Sequence, residues 1–460
     1  MKSLPQQISL EQWDRRYEQL CRDGMIEPPY GGPLRRHIAD GDTRLSKLRF
    51  DNSAAALRLW NFLLTEEERL FTARANGKKI VGVMKDLGTV PVLAYALDDV
   101  VAFYLDGAWW IPCIMEMSAG LLETADALGL NESFCPVRAL LGAFLAEGHF
   151  PQPDLLTCSV GAVCDDLSAI AQKLNGLGYP ILWWEVPHRH GGDQVEESIE
   201  LPGGFRTTQR QIELVRTELK RVVKHLEQLT GQELTDQKIA AGIEKTNRVR
   251  RCLRELREKV FMAELCPMPA LEMLIAEMLA IHFCSDQDET IRVLEDLLQE
   301  VDHRIKHHQG ILAKEAVRVF WVNPVADLRM MNVLEECGGR ICGTEYLFSH
   351  ALDEIPTALE PMAALARMAL ADPMVGSSAE RAARVCRDMR KFQSEALLIS
   401  RIPGASHCAV EGEIIGEIVR RELDVAVVEI EVPPLADSLQ PTLRSRIEAL
   451  TETVLERRKL

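Results

Sequence analysis

Short apolar runs alternate with amphipathic stretches along most of this chain, and the two periodicities sort it into elements. Up to about residue 75, LEQWDRRYEQLC and AAALRLWNFLLTEEERLFTARA repeat apolar residues at three- and four-residue spacing, which predicts helices. GKKIVGVM (77–84), VVAFYLDG (100–107), DLLTCSVG (154–161) and YPILWWEVP (179–187) are apolar runs of strand length. VRALLGAFLAEG and DDLSAIAQKLNGLG, between them, read as helices. From 207 to about 308 the chain is charge-dense amphipathic helix, with Pro269 near a helix start. The alternation then resumes. VRVFWVNP (317–324), RICGTEYLF, EALLISRIPG (395–404) and DVAVVEIEVPP read as strands, and Ser residues open SSAERAARVCRDMRKF as caps. The pattern predicts an α/β protein of two lobes with mostly parallel sheets, at 76–206 and 313–460. An N-terminal helical segment (1–75) precedes them, and a helical connector (207–312) separates them.

Composition narrows the class. The chain has 460 residues, 47% hydrophobic and 27% charged, the make-up of a globular protein of two to four domains. A net charge of −16 argues against a nucleic-acid partner and against docking on an anionic membrane. No apolar run follows Lys2, and no stretch approaches the roughly 18 apolar residues of a membrane span, so the reading is cytoplasmic.

Twelve cysteines, spread from Cys21 to Cys408 without a CxxC pair, argue against a zinc ribbon, a thioredoxin motif or a disulfide framework. Most are expected to be small buried hydrophobes. Three lie where an open α/β sheet builds its sites, near the carboxyl ends of strands. Cys135, in SFCPVRALLG, lies just before a helix. Cys164, in TCSVGAVCDDLSAI, follows the strand DLLTC, and Cys408, in LLISRIPGASHCAVEGEII, follows EALLIS. Each is predicted at a loop-to-helix junction, where N–H groups and the helix dipole lower a thiol's pKa. Three thiolates without an obvious fourth suit an iron–sulfur cluster with one open iron better than structural zinc, although twelve cysteines offer many such triples. Cys158 falls inside its strand, which favours packing. Cys113, Cys337 and Cys342 could add ligands to a larger cluster. His188 and His190, in VPHRHGG, end a strand at the same edge. His188 is a candidate proton donor, although an exposed loop histidine usually has no such role.

The stretch HFPQPDLLTCSVGAVCDDLSAIAQKLNGLGYPILWWEVPHRHGGD resembles the central region of the 2-hydroxyacyl-CoA dehydratase and benzoyl-CoA reductase superfamily. Cys135 with Gly142 resembles its first ligand segment, and the run from Ser377 through SEALLISRIPGASHC to VAVVEIEVPPLADSLQPTLRSRIEAL its third. VRVFWVNPVADLRMMNVLEECGGRICGTEY resembles the strand–helix–strand that opens the second lobe. The resemblance runs from about residue 77 onward. It implies two Rossmann-like lobes with a [4Fe–4S] cluster between them, held by Cys135, Cys164 and Cys408. It also implies an acyl-CoA substrate, an ATP-dependent iron–sulfur activator as electron donor, and a companion subunit in a heterodimer, or a homodimer. In the dehydratase branch one electron makes a ketyl radical that expels the 2-hydroxyl; in the reductase branch electrons enter an aromatic ring.

One departure stands out. The superfamily's active subunits place a Glu soon after the Pro of GVMKDLGTVPVLAYALDDVVAF, but here Val92, Leu93 and Ala94 follow Pro91. That suggests a chain without dehydration activity, or the companion subunit that relays electrons. Two other readings are an electron-transfer protein of double-cubane type without acyl-CoA turnover, and a metal-free binding protein.

Overall fold

β-Branched and aromatic side chains fill the central strands on both faces, and such strands are stable only when covered on both sides by helices. The computed structural model describes residues 4–28, 30–38, 45–86, 88–105, 118–161, 164–193, 195–282, 285–434 and 437–460, without the side chains of 118, 119, 282 and 407–409. It is an α/β protein with two four-stranded sheets, each wholly parallel. In the first, the strands run Val100–Tyr104, Lys79–Met84, Leu155–Gly161, Ile181–Val186 across the sheet. The second runs Gly339–Glu345, Val317–Val322, Ala396–Arg401, Ala426–Glu431.

Both sheets therefore have the chain order second, first, third, fourth. In such sheets the crossovers leave the first strand in opposite directions, and a crevice opens beyond its carboxyl end, between first and third strands. The residue that follows each first strand is a non-glycine in the left-handed region: Lys85 at φ +66° and Asn323 at φ +68°. The shared topology is invisible as a sequence repeat.

Helices cover the sheets and join the lobes. Ser377 caps Ser378–Lys391 in a capping box with Glu380, as its position suggested. The run 54–75 is two helices, Ala54–Leu64 and Glu66–Ala75, with the break at Thr65. Pro361–Leu370 and the short Val90–Tyr95 were not legible as helices beforehand. Gln209–Thr230, Asp236–Met262, Ala270–His282 and Gln287–Lys306 form the connector. Ala270–His282 is mostly apolar and buried at the centre of the core, where Leu271, Leu274, Ile275 and Ala276 pack beside the equally buried acids Glu272 and Glu277. Among the described residues no helix is long and apolar enough to cross a membrane.

Two buried arginines hold the lobes together. Arg189, beyond the last strand of the first sheet, donates through Nη1 to the Asp372 carbonyl (2.8 Å) and through Nη2 to Glu380 (3.2 Å), stacked 4.1 Å from the Phe205 ring centroid. Arg250, in the helix Asp236–Met262, donates to the carbonyls of Gly88 (3.3 Å) and Asp353 (2.8 Å), one from each lobe.

The N-terminal segment is tied in by buried acids. Gln7–Ile8 pairs antiparallel with Phe50–Asp51, and Asp51 is ion-paired with the buried Arg304. Glu272 accepts the Asp51 N–H and the Trp60 indole N–H, both at 3.0 Å, and Glu335 accepts the Ala270 N–H at 2.7 Å. Burial pushes the carboxyls of both Glu272 and Glu335 up to about 8. The folded protein thus keeps protons that the unfolded chain releases above the ordinary glutamate value of about 4.3, so these groups make stability fall as pH rises from about 5 towards 8. Glu272→Gln keeps an acceptor for both N–H groups and removes the ionisation. Urea unfolding should show it gaining on the order of 2 kcal/mol on wild type between about pH 5 and pH 8.

Candidate functional site

The third strand of the first lobe ends at Gly161, at φ +101°, where a side chain would run into the Val186 carbonyl. Further along the chain, Cys164 is the N-cap of the helix Asp165–Gly176. Cys135 sits at the N-cap of the 3-10 turn Pro136–Arg138, braced by Arg138, whose Nη1 donates to the Phe134 carbonyl at 3.0 Å. In the second lobe the third strand passes through Gly404, at φ +79°, into the helix Ser406–Leu423. Cys408 therefore falls in the first turn of that helix rather than before it; its side chain lies outside the described residues.

Asp166 joins the three segments. Its Oδ1 accepts the Cys135 N–H (3.3 Å), and its Oδ2 accepts both the N–H and the hydroxyl of Ser406 (2.9 Å each). Cys164 Sγ lies 3.9 Å from the same Oδ2. Gly404 packs against the Cys135 segment so closely that a Cβ would stand 2.5 Å from the Phe134 carbonyl. The Cys164 thiol and the backbone of the segments carrying Cys135 and Cys408 thus converge on one carboxylate. Cys164 and Cys408 occupy equivalent places in the two lobes, each just beyond a third strand.

The expectation that helix N-termini lower these thiols' pKa needs correction for Cys164. The N–H groups of Leu167 and Asp166 do favour its thiolate, but burial outweighs them and pushes the thiol up to about 11. Such a thiol is protonated at neutral pH until a bound cation replaces its proton. A half-buried sulfur faced by N–H groups suits a metal ligand better than a free nucleophile. Among the described residues, no three His, Cys, Asp or Glu side chains form a metal-holding group.

The other cysteines lie elsewhere. Cys158 is fully buried within its strand, where burial pushes the thiol up to about 12. Cys342 is buried in the middle of Gly339–Glu345, and Cys337 precedes that strand at the opposite edge of the sheet, beside Arg444. Cys113 lies outside the described residues. His188 and His190 are exposed, and it is Arg189 between them that turns inward.

Four groups escaped the sequence reading. Asp166 was legible only as a first-turn acid, and Lys85 only as the residue after a strand. The buried carboxyls Asp86 and Asp372 carried no local signal. Lys85 Nζ donates to Ser168 Oγ at 2.6 Å, one turn into the helix that Cys164 caps.

The family model described as 2-hydroxyglutaryl-CoA dehydratase, D-component, matches residues 90–454. No curated protein matches the chain.

Asp166→Ala removes the acceptor for N–H groups of two other segments, each costing about 1–3 kcal/mol if left unsatisfied. Thermal unfolding should show a fall on the order of 2 kcal/mol. Asp166→Asn, which retains one acceptor oxygen, should fall between Asp166→Ala and wild type.

Proposed function

Because the chain belongs to the 2-hydroxyglutaryl-CoA dehydratase D-component family, we propose that it is the iron–sulfur subunit of a 2-hydroxyacyl-CoA dehydratase or benzoyl-CoA reductase type enzyme. A [4Fe–4S] cluster is held by Cys135, Cys164 and Cys408. The observation that carries this reading is the Asp166 junction, which gathers the segments of all three cysteines. With three protein thiolates such a cluster keeps one iron open, and supplies a Lewis-acid and one-electron site for an acyl-CoA thioester.

The chain's residues supply the surroundings. Asp166 fixes the spacing of the ligand segments, and Arg189 and Arg250 keep the lobes closed over the crevice. The helix that starts at Val90 turns buried, apolar Val92, Leu93 and Ala94 into the core, so it brings no acid–base group to the crevice. Among the described residues, Asp86 and Asp372 line the cavity between the lobes. An ATP-dependent iron–sulfur activator delivers the electron, and a companion subunit or a second copy completes the enzyme.

The rival, a double-cubane electron-transfer protein, needs further ligands near the junction. Cys158 and Cys342 are locked inside strands, and Cys337 lies at the far edge of its sheet. Iron and sulfide analysis separates the two: about four irons per chain are expected here, and about eight for the rival.

Protein purified without oxygen should be brown and should bleach in air. Cys408→Ala should lose the colour and the iron, whereas Cys21→Ala, exposed in the helix Leu10–Arg22, should keep both. Equal iron in the two variants, or stoichiometric zinc without sulfide, would refute the ligand assignment.

A further inference from the structure

We propose that a buried chamber between the lobes is a proton-transfer station, in which Asp372 holds the proton and one water links it to Lys85 beside the cysteine junction. Its use in dehydration rests on the functional reading above; its geometry does not.

The first lobe contributes Lys85 and Asp86, just beyond its first strand, with Ser159 and Trp184 from the neighbouring strands; the second contributes His350 and Asp372. The cavity is about 10 Å3, the room of one water. Ser159 Oγ and Trp184 Nε1 are buried on its wall and make no hydrogen bond among the described residues. An unsatisfied hydroxyl and an unsatisfied indole N–H are both costly in an interior. One water between them serves both, with Lys85 and Asp372 to complete its shell.

Of the two acids, Asp372 is the one free to exchange a proton. Asp86 commits both oxygens to a helix start, Oδ1 to the Thr89 N–H (3.0 Å) and Oδ2 to the Val90 N–H (2.5 Å). Asp372 accepts the Met374 N–H through Oδ1 (2.8 Å) and turns towards the chamber. Lys85 and Asp86 face it from the first strand's end, Arg189 (itself paired with Glu380) from the loop beyond the fourth, His350 from the turn Ser349–Leu352, and Arg381 from the helix Ser378–Lys391. Burial dominates this balance and pushes Asp372 up to about 7. A carboxyl in that range releases and recovers a proton near neutral pH with little driving force either way.

Lys85 connects the chamber to the junction. Its backbone is held in the left-handed region, which a side-chain-bearing residue adopts only under constraint. From there its ammonium reaches the chamber and Ser168 Oγ, which in turn lies 3.5 Å from the Cys164 carbonyl. In a dehydration, the substrate loses a proton from carbon 3 and hydroxide from carbon 2. Asp372 gives its proton through the water to the departing hydroxide, forming water and leaving the carboxylate. The carboxylate then takes the carbon 3 proton as that C–H bond breaks, which restores the acid. The electron that starts the reaction is handed back, so proton and electron are both conserved.

Infrared difference spectroscopy of the anaerobically purified chain, from about pH 5 to about pH 9, tests this without turnover. A protonated-carboxyl band should titrate near neutral pH, shift in D2O and vanish in Asp372→Asn. In Lys85→Met, which removes a neighbouring positive charge, its titration should move upward. A spectrum unchanged by Asp372→Asn overturns the proposal. If that variant does not fold, a carboxyl titration unmoved by Lys85→Met overturns it instead. With companion subunit and reduced activator, Asp372→Asn should lower turnover about 100- to 10,000-fold at wild-type iron content; unchanged turnover also overturns it. Wild-type chain without iron would defeat the functional reading alone, because the carboxyl titration stands without it.

Discussion

Two chain segments, one of them 240 residues away, meet a third at the side chain of Asp166 because each brings an N–H group that its own helix start cannot satisfy. A carboxylate in a helix's first turn is favoured by the helix dipole, and it has enough lone pairs to serve more than one external donor. Asp166 sits two residues after Cys164, so the acceptor and one thiol move as a unit. Any displacement of the second lobe by an ångström or so would break the bonds to Ser406 and carry the Cys408 segment away. The candidate centre therefore exists only while the lobes stay in register.

That register is held by positive charge. Arg189 and Arg250 reach from one lobe or the connector into carbonyls of the other, and both are almost wholly inaccessible to solvent. Desolvating a guanidinium is expensive, and each offsets the cost with several directed hydrogen bonds. Apolar packing alone would tolerate sliding between lobes; fixed forks of N–H donors do not. Arg189 also ends on the carbonyl of Asp372, so one clamp sets both the lobe contact and the position of the chamber's acid.

The duplicated strand order explains why the chemistry gathers where it does. Each lobe opens a crevice beyond its first strand and places a cysteine beyond its third, and the lobes face each other across these edges. The equivalence of Lys85 with Asn323 in left-handed turns, and of Cys164 with Cys408, is one of backbone geometry. Their flanking residues have diverged too far for a repeat to be seen along the chain.

Local pattern was enough for the two parallel α/β lobes, the connector helices, the capping by Ser377 and the strand-end positions of Cys164 and Cys408, because strand length, helical period and caps are written within a few residues. The family likeness was legible from the order of those segments. Which thiols meet, and through what, was not: the bonds of Asp166 join residues 31 and 240 positions away. The rise of the Cys164 thiol's pKa reversed an expectation drawn from helix ends alone, because burial is a property of everything packed around it. For the same reason the exposed His188 was conspicuous in sequence, while Lys85 and Asp372, ordinary charged residues in their local runs, gained their setting only when two lobes closed over them.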